Sequence, residues 1–332
     1  METISAEARD LHARALVMDL HADTLIPMRA IGYDLTARHS PFAWTGKHFG
    51  HCDLPRFAEG GATGQVFGLV TSPIPERGCF DATMRQIELL KGVATAHPDR
   101  LRVCWTAGDL DAAKRDGVLA AYFGIEGAHN LEGDADNVGR FADAGVRAIG
   151  LAHFSKNAVC APAKGRGADN DAPLTDLGHQ VVAAMGERRV IVDLAHVGRR
   201  AFFDALGCAR GPVIVSHTGV AGVTPHWRNL DDEQIEGVAA TGGVVGIIFA
   251  RRFVGGRTID HVLAHMDHVR KVVGASHVGL GSDYDGAVVP VRGLEDVATL
   301  PRITDGLLRL GWSPDEVLAA LGGNVRRVLA AH

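Results

Sequence analysis

The sequence has few cysteines, and they form no recognisable pair. The five residues Cys52, Cys79, Cys104, Cys160 and Cys208 are odd in number and widely spaced, without a C-x-x-C motif. This spacing indicates neither a disulfide framework nor a structural zinc ribbon. Unpaired cysteines fit a reducing compartment, so we expect the protein to be cytoplasmic.

Long apolar runs and an excess of positive charge are also missing. No stretch reaches the length of about 18 apolar residues that a membrane span needs, and the best run, residues 242–250, has the length of a strand. Residues 1–10 do not have the basic and then apolar arrangement of a signal peptide. The formal net charge is −5, without basic clusters. We therefore expect neither a membrane nor a nucleic acid as a partner.

Short apolar segments rich in Val, Ile and Leu recur along the whole chain. They do not alternate strictly with polar residues, which is typical of strands that are covered on both faces. We interpret eight of them as strands: 15–21, 63–70, 118–127, 146–153, 189–196, 212–217, 243–249 and 277–283. Segments with helical spacing lie between them, among them 81–97, 175–189 and 313–323.

Eight strands that alternate with helices predict an α/β protein with a (β/α)8 TIM barrel, and 332 residues is a typical length for one. A doubly wound open sheet would instead predict a glycine-rich turn after the first strand, and residues 21–27 contain none. Without a linker or repeat, we expect a single domain over residues 1–332. The connection 25–62 is long, and we expect it to form part of the active-site rim.

Residues that commonly bind metals stand at the ends of six predicted strands. They are His21 and Asp23 in the first strand, and then Glu126, His153, His196, His217 and Asp283, one for each of five further strands. Taken singly, each is more often a structural residue. The carboxyl ends of barrel strands meet at the end where catalysis takes place, so seven such residues there predict a metal site. A ligand set of His, Asp and Glu suits zinc, manganese or iron.

The first strand, MDLHADT, has polar residues at every second position. Strict alternation would place Asp19, His21 and Asp23 on one face. Asp19 lies deeper than the other two, so we expect it to make a core hydrogen bond or to support a ligand.

One catalytic zinc ion uses three protein ligands, and the sequence offers seven candidates. Two ions therefore fit better than one. Glu126 is the candidate bridge, because its strand lies between the other ligand groups. Two dications are balanced in part by Asp23, Glu126 and a bridging hydroxide. The remaining positive charge would polarise a carbonyl group and stabilise an oxyanion.

With these residues in place, the chain resembles the membrane dipeptidase (renal dipeptidase) family, peptidase family M19, of the amidohydrolase superfamily, in its soluble bacterial form. The resemblance extends over nearly the whole chain. The motifs that carry it are DLHADT, DLPRFAEGGATGQVF, GIEGAHN, LAHF, VDLAHVG, VIVSHTGV, RNLDDEQ, GLGSDYDG and GGNVRRVL.

The resemblance implies a role for each matching residue. His21 and Asp23 would bind one zinc ion, His196 and His217 would bind the other, and Glu126 would bridge the two. It also implies three further roles: substrate contact and oxyanion stabilisation by His153, binding of the substrate carboxylate by Arg228, and general acid and base catalysis by Asp283. The guanidinium of Arg228 suits this role on physical grounds as well, because its planar fork matches a carboxylate.

Asp283 has a competitor, because Asp285 lies two residues further along what we take to be the same face. We assign the proton transfer to Asp283, since we expect the chain still to be a strand there and to turn near Gly286. The residues that follow His153, 155–170, are expected to form part of the substrate rim.

The sequence thus predicts a zinc-dependent dipeptidase that cleaves L-Xaa-L-Xaa or L-Xaa-D-Xaa dipeptides, with a dipeptide as its small-molecule partner and a homodimer as a possible assembly. Two alternatives remain open. The same site could hydrolyse an N-acyl amino acid, a lactone or another amide. The chain could also be an inactive metal-binding scaffold, although the presence of Asp283 argues against this.

Overall fold

A computed structural model describes residues 3–40, 47–71 and 77–332 of the protein. Within these ranges nine strands form one parallel sheet: β1 (Met18–Ala22), β2 (Gly64–Val70), β3 (Leu101–Val103), β4 (Leu119–Glu126), β5 (Val146–Gly150), β6 (Ile191–Asp193), β7 (Ile214–Thr218), β8 (Val244–Ile247) and β9 (Val278–Leu280). The sheet runs in the order β2-β1-β9-β8-β7-β6-β5-β4-β3, and β2 also pairs with β4. That pairing closes eight strands into a barrel, so the predicted (β/α)8 fold is confirmed.

The strand β3 was not expected, and it lies outside the closed ring. It pairs with the first residues of β4, from Leu101 against Leu119 to Val103 against Ala121. A three-residue segment with an arginine at its centre carries too little apolar pattern to be recognised from the sequence.

Several strands are shorter than predicted, and they end before the functional residues rather than at them. β5 ends at Gly150, β6 at Asp193 and β9 at Leu280. His153, His196 and Asp283 therefore each lie three residues beyond a strand, in the turns that follow it.

In the described part of the chain, thirteen α-helices connect and surround the strands. They are α1 (Ala6–Arg14), α2 (Leu25–Ile31), α3 (Leu54–Glu59), α4 (Cys79–Ala96), α5 (Ala107–Asp116), α6 (Asn137–Ala144), α7 (Asp176–Glu187), α8 (Arg199–Cys208), α9 (Asp232–Ala240), α10 (Ile259–Val273), α11 (Pro301–Arg309), α12 (Pro314–Leu318) and α13 (Asn324–Ala331). The helices expected at 81–97 and 175–189 are α4 and α7. The hydroxyl of Ser313 caps α12 in a capping box with Glu316, as its sequence indicates. Over the three described ranges, no helix is both long and apolar enough to cross a bilayer.

Two apolar layers hold the barrel. The larger one lies between the strands and the surrounding helices. The smaller one fills the barrel, with Leu20, Val66, Tyr122 and Val244 among its members, and α5 and α13 add residues at one end. Because apolar side chains fill the lower part of the interior, polar side chains can gather only at the carboxyl ends of the strands.

An irregularity in β1 brings His21 into the interior. The register of β1 against β2 shifts between Asp19 and Ala22. Leu20 belongs to the apolar layer inside the barrel. The ring of His21 nevertheless stacks on His217, with centroids 4.0 Å apart. Strict alternation would send neighbouring side chains to opposite faces, so the shift is what allows both to face inward.

The expectation that Asp19 shares a face with His21 is therefore wrong. The Oδ1 atom of Asp19 accepts a hydrogen bond from the amide of Ser282 at 2.8 Å, and its Oδ2 atom accepts one from the Ser282 hydroxyl at 2.5 Å. Asp19 thus makes the core hydrogen bond that we expected as one of its two roles, and it ties β1 to the end of β9.

Gly246 in β8 offers a test of how tightly the strands pack. A Cβ atom added there would lie 2.1 Å from the main-chain oxygen of Ser216 in the neighbouring strand. We expect Gly246→Ala to lower the free energy of unfolding by about 1–3 kcal/mol, because the backbone must move to relieve the overlap.

Gly92 in the middle of α4 is the matched control, since a Cβ atom there meets nothing within 4 Å. Gly92→Ala should leave stability unchanged or raise it by up to about 1 kcal/mol through helix propensity. Urea denaturation measures both variants. Equal stability of Gly246→Ala and the wild type would contradict the packing argument.

Candidate metal centre and active site

The carboxylate of Glu126 lies at the centre of a group of buried histidines. Its Oε1 atom is 3.1 Å from Nε2 of His196, 3.3 Å from Nε2 of His217 and 3.8 Å from Nε2 of His21. Its other oxygen, Oε2, is 3.4 Å from Nε2 of His153. One carboxylate from β4 thus contacts four imidazoles from four other parts of the barrel.

Hydrogen bonds on the outer side of the site fix the orientation of the rings. The hydroxyl of Ser216 lies 2.9 Å from Nδ1 of His217, which leaves Nε2 to face Glu126. His196 has a left-handed backbone with φ of 66°. The Oδ1 atom of Asp193 accepts bonds from the amides of Ala195 at 3.0 Å and Ser216 at 2.9 Å. Asp193 therefore connects the turn that carries His196 to the strand that carries His217.

Sequence reasoning did not single out Asp193. It stands in the same motif as His196, VDLAHVG, and a buried acid next to a proposed ligand could have been recognised as a positioning residue.

Asp23 and Asp283 meet where the ends of β1 and β9 run side by side. The amide of Asp283 donates to the carbonyl of His21 at 3.1 Å, and the amide of Asp23 donates to the carbonyl of Tyr284 at 2.7 Å. A Cβ atom at Gly286 would lie 2.2 Å from Oδ1 of Asp283 and 3.0 Å from Oδ2 of Asp23. A residue without a side chain is thus required beside these two carboxylates.

Asp285 does not share the face of Asp283, so that expectation is wrong. Its carboxylate accepts hydrogen bonds from the amides of Gly50 and His51 at 2.7 and 2.8 Å, and from the hydroxyl of Thr24 at 2.8 Å. The chain is also no longer a strand at this point, because φ is 60° at Asp283 and 64° at Asp285. Two left-handed residues send the two carboxylates to different sides.

Three buried atoms of this cluster have no hydrogen-bond partner among the described residues. They are Nε2 of His21, Oδ1 of Asp23 and Oε2 of Glu126. The first two lie 3.2 Å apart, in an orientation that forms no hydrogen bond. A buried polar atom without a partner is costly, and this cluster contains three of them. A cation would satisfy all three, so the residues fit a metal site.

Burial is the largest single influence on the pKa of Glu126 and of the four histidines around it. It lowers the pKa of His196 and His217 well below 6.5 and that of His153 to about 4. Burial, followed by the negative charge of Asp23, raises the pKa of Glu126 to about 8. Burial also acts to lower the pKa of His21, but Asp23 and Glu126 outweigh it and raise the value to about 10. A cation would favour neutral imidazoles and ionised carboxylates together, which is the state that binds metals.

All seven predicted strand-end residues take part in possible ligand groups. Among the described residues, three sets have ligand atoms within 4.8 Å of one another: His21, Glu126 and His217; Glu126, His153 and His196; and His21, Asp23 and Asp283. Glu126 and His21 each belong to two of these sets. By distance alone His153 could be a ligand as well, whereas the family resemblance implies that it contacts the substrate.

Arg228, in the segment that follows β7, lines a cavity that also contains the cluster around Glu126. It is 4% exposed, and its Nη2 atom donates a hydrogen bond to the carbonyl of His217. Burial lowers its pKa to about 10, although Asp283 and Glu126 act in the opposite direction. Within the described parts of the chain it forms no ion pair. A buried guanidinium without a carboxylate partner is suited to bind an anionic ligand.

The cavity above the cluster has a volume of about 370 Å³, in the range of small-molecule sites. Its floor consists of Asp23, Glu126, His153, His196, His217, Arg228 and Asp283, and its walls include His48, Phe154, residues 250–253 and residues 286–289.

The walls confirm one expectation about the rim in part and correct the other. From the long segment 25–62, only His48 lines the cavity among the described residues, and residues 41–46 lie outside them. From the segment after His153, Phe154 lines it, whereas Ala163 and Asn170 line an adjacent cavity of about 330 Å³. The other wall residues directly follow β8 and β9. Their position after a strand was the signal that could have identified them.

Comparison with known proteins settles the family. A family model described as membrane dipeptidase (peptidase family M19) matches residues 5–332. The chain belongs to this family. It is also 34% identical over 298 residues to the dipeptidase tcpJ of Claviceps purpurea (strain 20.1), covering 84% of this chain and 69% of the relative. The expectation of a hydrolase that acts on peptide bonds, rather than an inactive scaffold, is thereby confirmed.

Solved structures of similar metallopeptidases have the same fold. One is a metallopeptidase of Rhodobacter sphaeroides in complex with a phosphinate mimic of the dipeptide L-Ala-D-Ala, with 26% identity and a TM-score of 0.83 over 96% of this chain and 99% of that one. Another is the M19 metallopeptidase described as dipeptidase AC, with 27% identity and a TM-score of 0.81 over 96% and 98% of the two chains. Membership of a metallopeptidase family agrees with the buried cluster around Glu126.

If Glu126 is the central ligand, its removal should lower metal binding more than any surface change. We expect Glu126→Ala to retain much less divalent metal than the wild type after dialysis, as measured by elemental analysis. Glu88→Ala serves as the control, because the Glu88 side chain is 65% exposed and far along the chain from the cluster. Undiminished metal content in Glu126→Ala would contradict the central role.

Proposed function

We propose that the protein is a zinc-dependent dipeptidase that hydrolyses L-Xaa-L-Xaa or L-Xaa-D-Xaa dipeptides. The observation that carries the proposal is the position of Arg228. It is a buried guanidinium without a described carboxylate partner, and it lines the same cavity as the cluster around Glu126. A molecule with a carboxylate a short distance from an amide would complete both parts of the cavity, and a dipeptide is such a molecule.

Within this proposal His21 and Asp23 would hold one zinc ion, His196 and His217 would hold a second, and Glu126 would be shared between them. Bound zinc would supply Lewis-acid activation of the scissile carbonyl and of the attacking water. The close approach of Glu126 to both His196 and His217 supports this assignment, as do the unsatisfied atoms of His21 and Asp23. A wild-type protein that saturates at one metal equivalent would contradict the two-ion proposal.

The chain's own residues perform the remaining steps. Arg228 binds the C-terminal carboxylate of the dipeptide and so aligns the amide over the cluster. His153, which burial keeps neutral, donates a hydrogen bond to the oxygen that becomes negative in the transition state. Asp283 takes a proton from the attacking water and returns it to the leaving nitrogen, for which it must come within about 2.6–3.2 Å of each.

The hydrolysis of an N-acyl amino acid is the second candidate, because such a substrate also offers a carboxylate to Arg228 and an amide to the cluster. The dipeptide mimic bound by the Rhodobacter sphaeroides relative favours a dipeptide. Rates on L-Ala-D-Ala, L-Ala-L-Ala and N-acetyl-alanine separate the two. Faster hydrolysis of the acetylated compound would overturn the dipeptidase assignment.

The role of Arg228 can be tested through the charge of the substrate. Arg228→Met should lower kcat/KM for a dipeptide by about 30-fold or more, since loss of a buried, charge-assisted contact costs roughly 2–5 kcal/mol. The same dipeptide with an amidated C-terminus is the control, because it lacks the charge that Arg228 would bind. Equal losses on both substrates would show that Arg228 does not bind the carboxylate.

Asp283→Asn keeps the shape of the side chain but removes its ability to accept a proton. General acid and base catalysis contributes about 10²–10⁴-fold, so we expect kcat to fall by at least that order while metal content stays nearly constant. Asp285→Asn is the matched control: it changes the neighbouring buried acid, which binds main-chain amides, and its loss should be smaller. Substantial activity in Asp283→Asn, or loss of its metal, would contradict the assignment.

A further inference from the structure

The mouth of the cavity carries positive charge that the steps above do not use. Arg251 and Arg252 line the cavity, and both side chains are exposed. The carboxylates that line the same cavity, Asp23, Glu126 and Asp283, are all buried at its floor. The site therefore has carboxylates at its floor, among them the proposed metal ligands Asp23 and Glu126, and guanidinium groups at its entrance.

Neither of these two exposed arginines has an ion-pair partner in the described residues. They differ from other exposed arginines that also lack one, such as Arg257, because they line the cavity. Elsewhere Arg199 pairs with Asp231 and Glu233, and Arg326 pairs with Asp111. Guanidinium groups that line a cavity and remain unpaired are available to a ligand with a carboxylate.

The main chain holds the two arginines in place. The amide of Arg251 donates to the carbonyl of Val289 at 3.1 Å, and the amide of Val291 donates to the carbonyl of Phe249 at 3.0 Å. Ala250 and Pro290 form an antiparallel bridge. The segments that follow β8 and β9 thus support each other, and the arginines project from a hydrogen-bonded turn.

Contacts of this turn place it on the Arg228 side of the entrance. The ring of Phe253 lies 5.2 Å from that of His226 and 6.0 Å from that of Trp227, the two residues that precede Arg228. The charge of Arg252 also reaches His226, where it adds to burial in lowering the pKa of that ring. If Arg228 binds the C-terminal carboxylate, the arginine pair lies near the side chain of the C-terminal residue.

We propose that Arg251 and Arg252 give the enzyme a preference for dipeptides whose C-terminal residue has an acidic side chain, aspartate or glutamate. This inference rests on the proposed dipeptidase function and on Arg228 as the carboxylate site. Exposed ion pairs are weak, so the selection is modest, roughly 3- to 10-fold in kcat/KM. It decreases as salt screens the charges.

Matched substrates test the preference without any mutation. The panel consists of L-Ala-D-Asp, L-Ala-D-Asn, L-Ala-D-Lys and L-Ala-D-Ala, each also with an L-residue at the C-terminus, and L-Asp-D-Ala. We expect kcat/KM to be highest for C-terminal Asp, lower for its neutral isostere Asn and lowest for Lys. The ratio of Asp to Asn should fall between 50 and 500 mM salt, because the Debye length shortens from about 14 Å to about 4 Å over this range.

Variants then test the residues. In the double variant Arg251→Gln/Arg252→Gln the ratio of Asp to Asn should fall to about one, whereas in Arg257→Gln it should stay at the wild-type value. Arg257 is an exposed arginine of the same connection that does not line the cavity.

The outcomes separate this inference from the proposed function. Hydrolysis of L-Ala-D-Ala with equal rates on the Asp and Asn substrates would overturn the inference and leave the dipeptidase assignment intact. A preference for L-Asp-D-Ala over the C-terminal acids would overturn the placement beside the C-terminal residue. If no dipeptide is hydrolysed, the proposed function and the inference are both wrong.

Discussion

The upper half of the barrel depends on one constraint: several ionisable groups are buried around the carboxylate of Glu126. Four imidazoles lie within 4 Å of its two oxygens, and three polar atoms of the cluster have no described partner. Such an arrangement is unfavourable without a positive charge at its centre. Stability and metal binding are therefore linked, because the ligand that completes the site also removes the cost of burying it.

The strands meet this constraint through irregularities rather than through ideal geometry. In the described strands the register of β1 against β2 shifts between Asp19 and Ala22, and that of β7 against β8 shifts between Val215 and Thr218. A third shift, of β4 against β5, lies between Phe123 and Gly124. The first two shifts lie where His21 and His217 face inward. Bulges near active sites commonly redirect side chains in this way, and here they separate an apolar lower interior from a polar upper one.

The sequence was sufficient to predict the barrel, because every strand of the closed ring has a run of Val, Ile or Leu. It was also sufficient to predict which polar residues meet, since each follows such a run. The short strand β3 was missed. The register shift in β1, which separates the face of Asp19 from that of His21, was missed as well, because periodicity assumes regular alternation. The assignment of residues 1–332 to one domain stays a prediction, as do the separate roles of the site residues.

Backbone conformation explains why the sequence could not separate Asp283 from Asp285. Seven described residues other than glycine have positive φ, and four of them, His196, Asp283, Asp285 and Ala287, lie in or beside the site. Such conformations cost free energy of order 1 kcal/mol each, and the surrounding structure must compensate for that cost. At Asp285 the three hydrogen bonds to its carboxylate do so. The two left-handed residues also separate the two acids. Asp283 lies at the cluster around Glu126, whereas the carboxylate of Asp285 holds the wall of the cavity. A residue name does not reveal φ, so this division of roles can be recognised only in the folded chain.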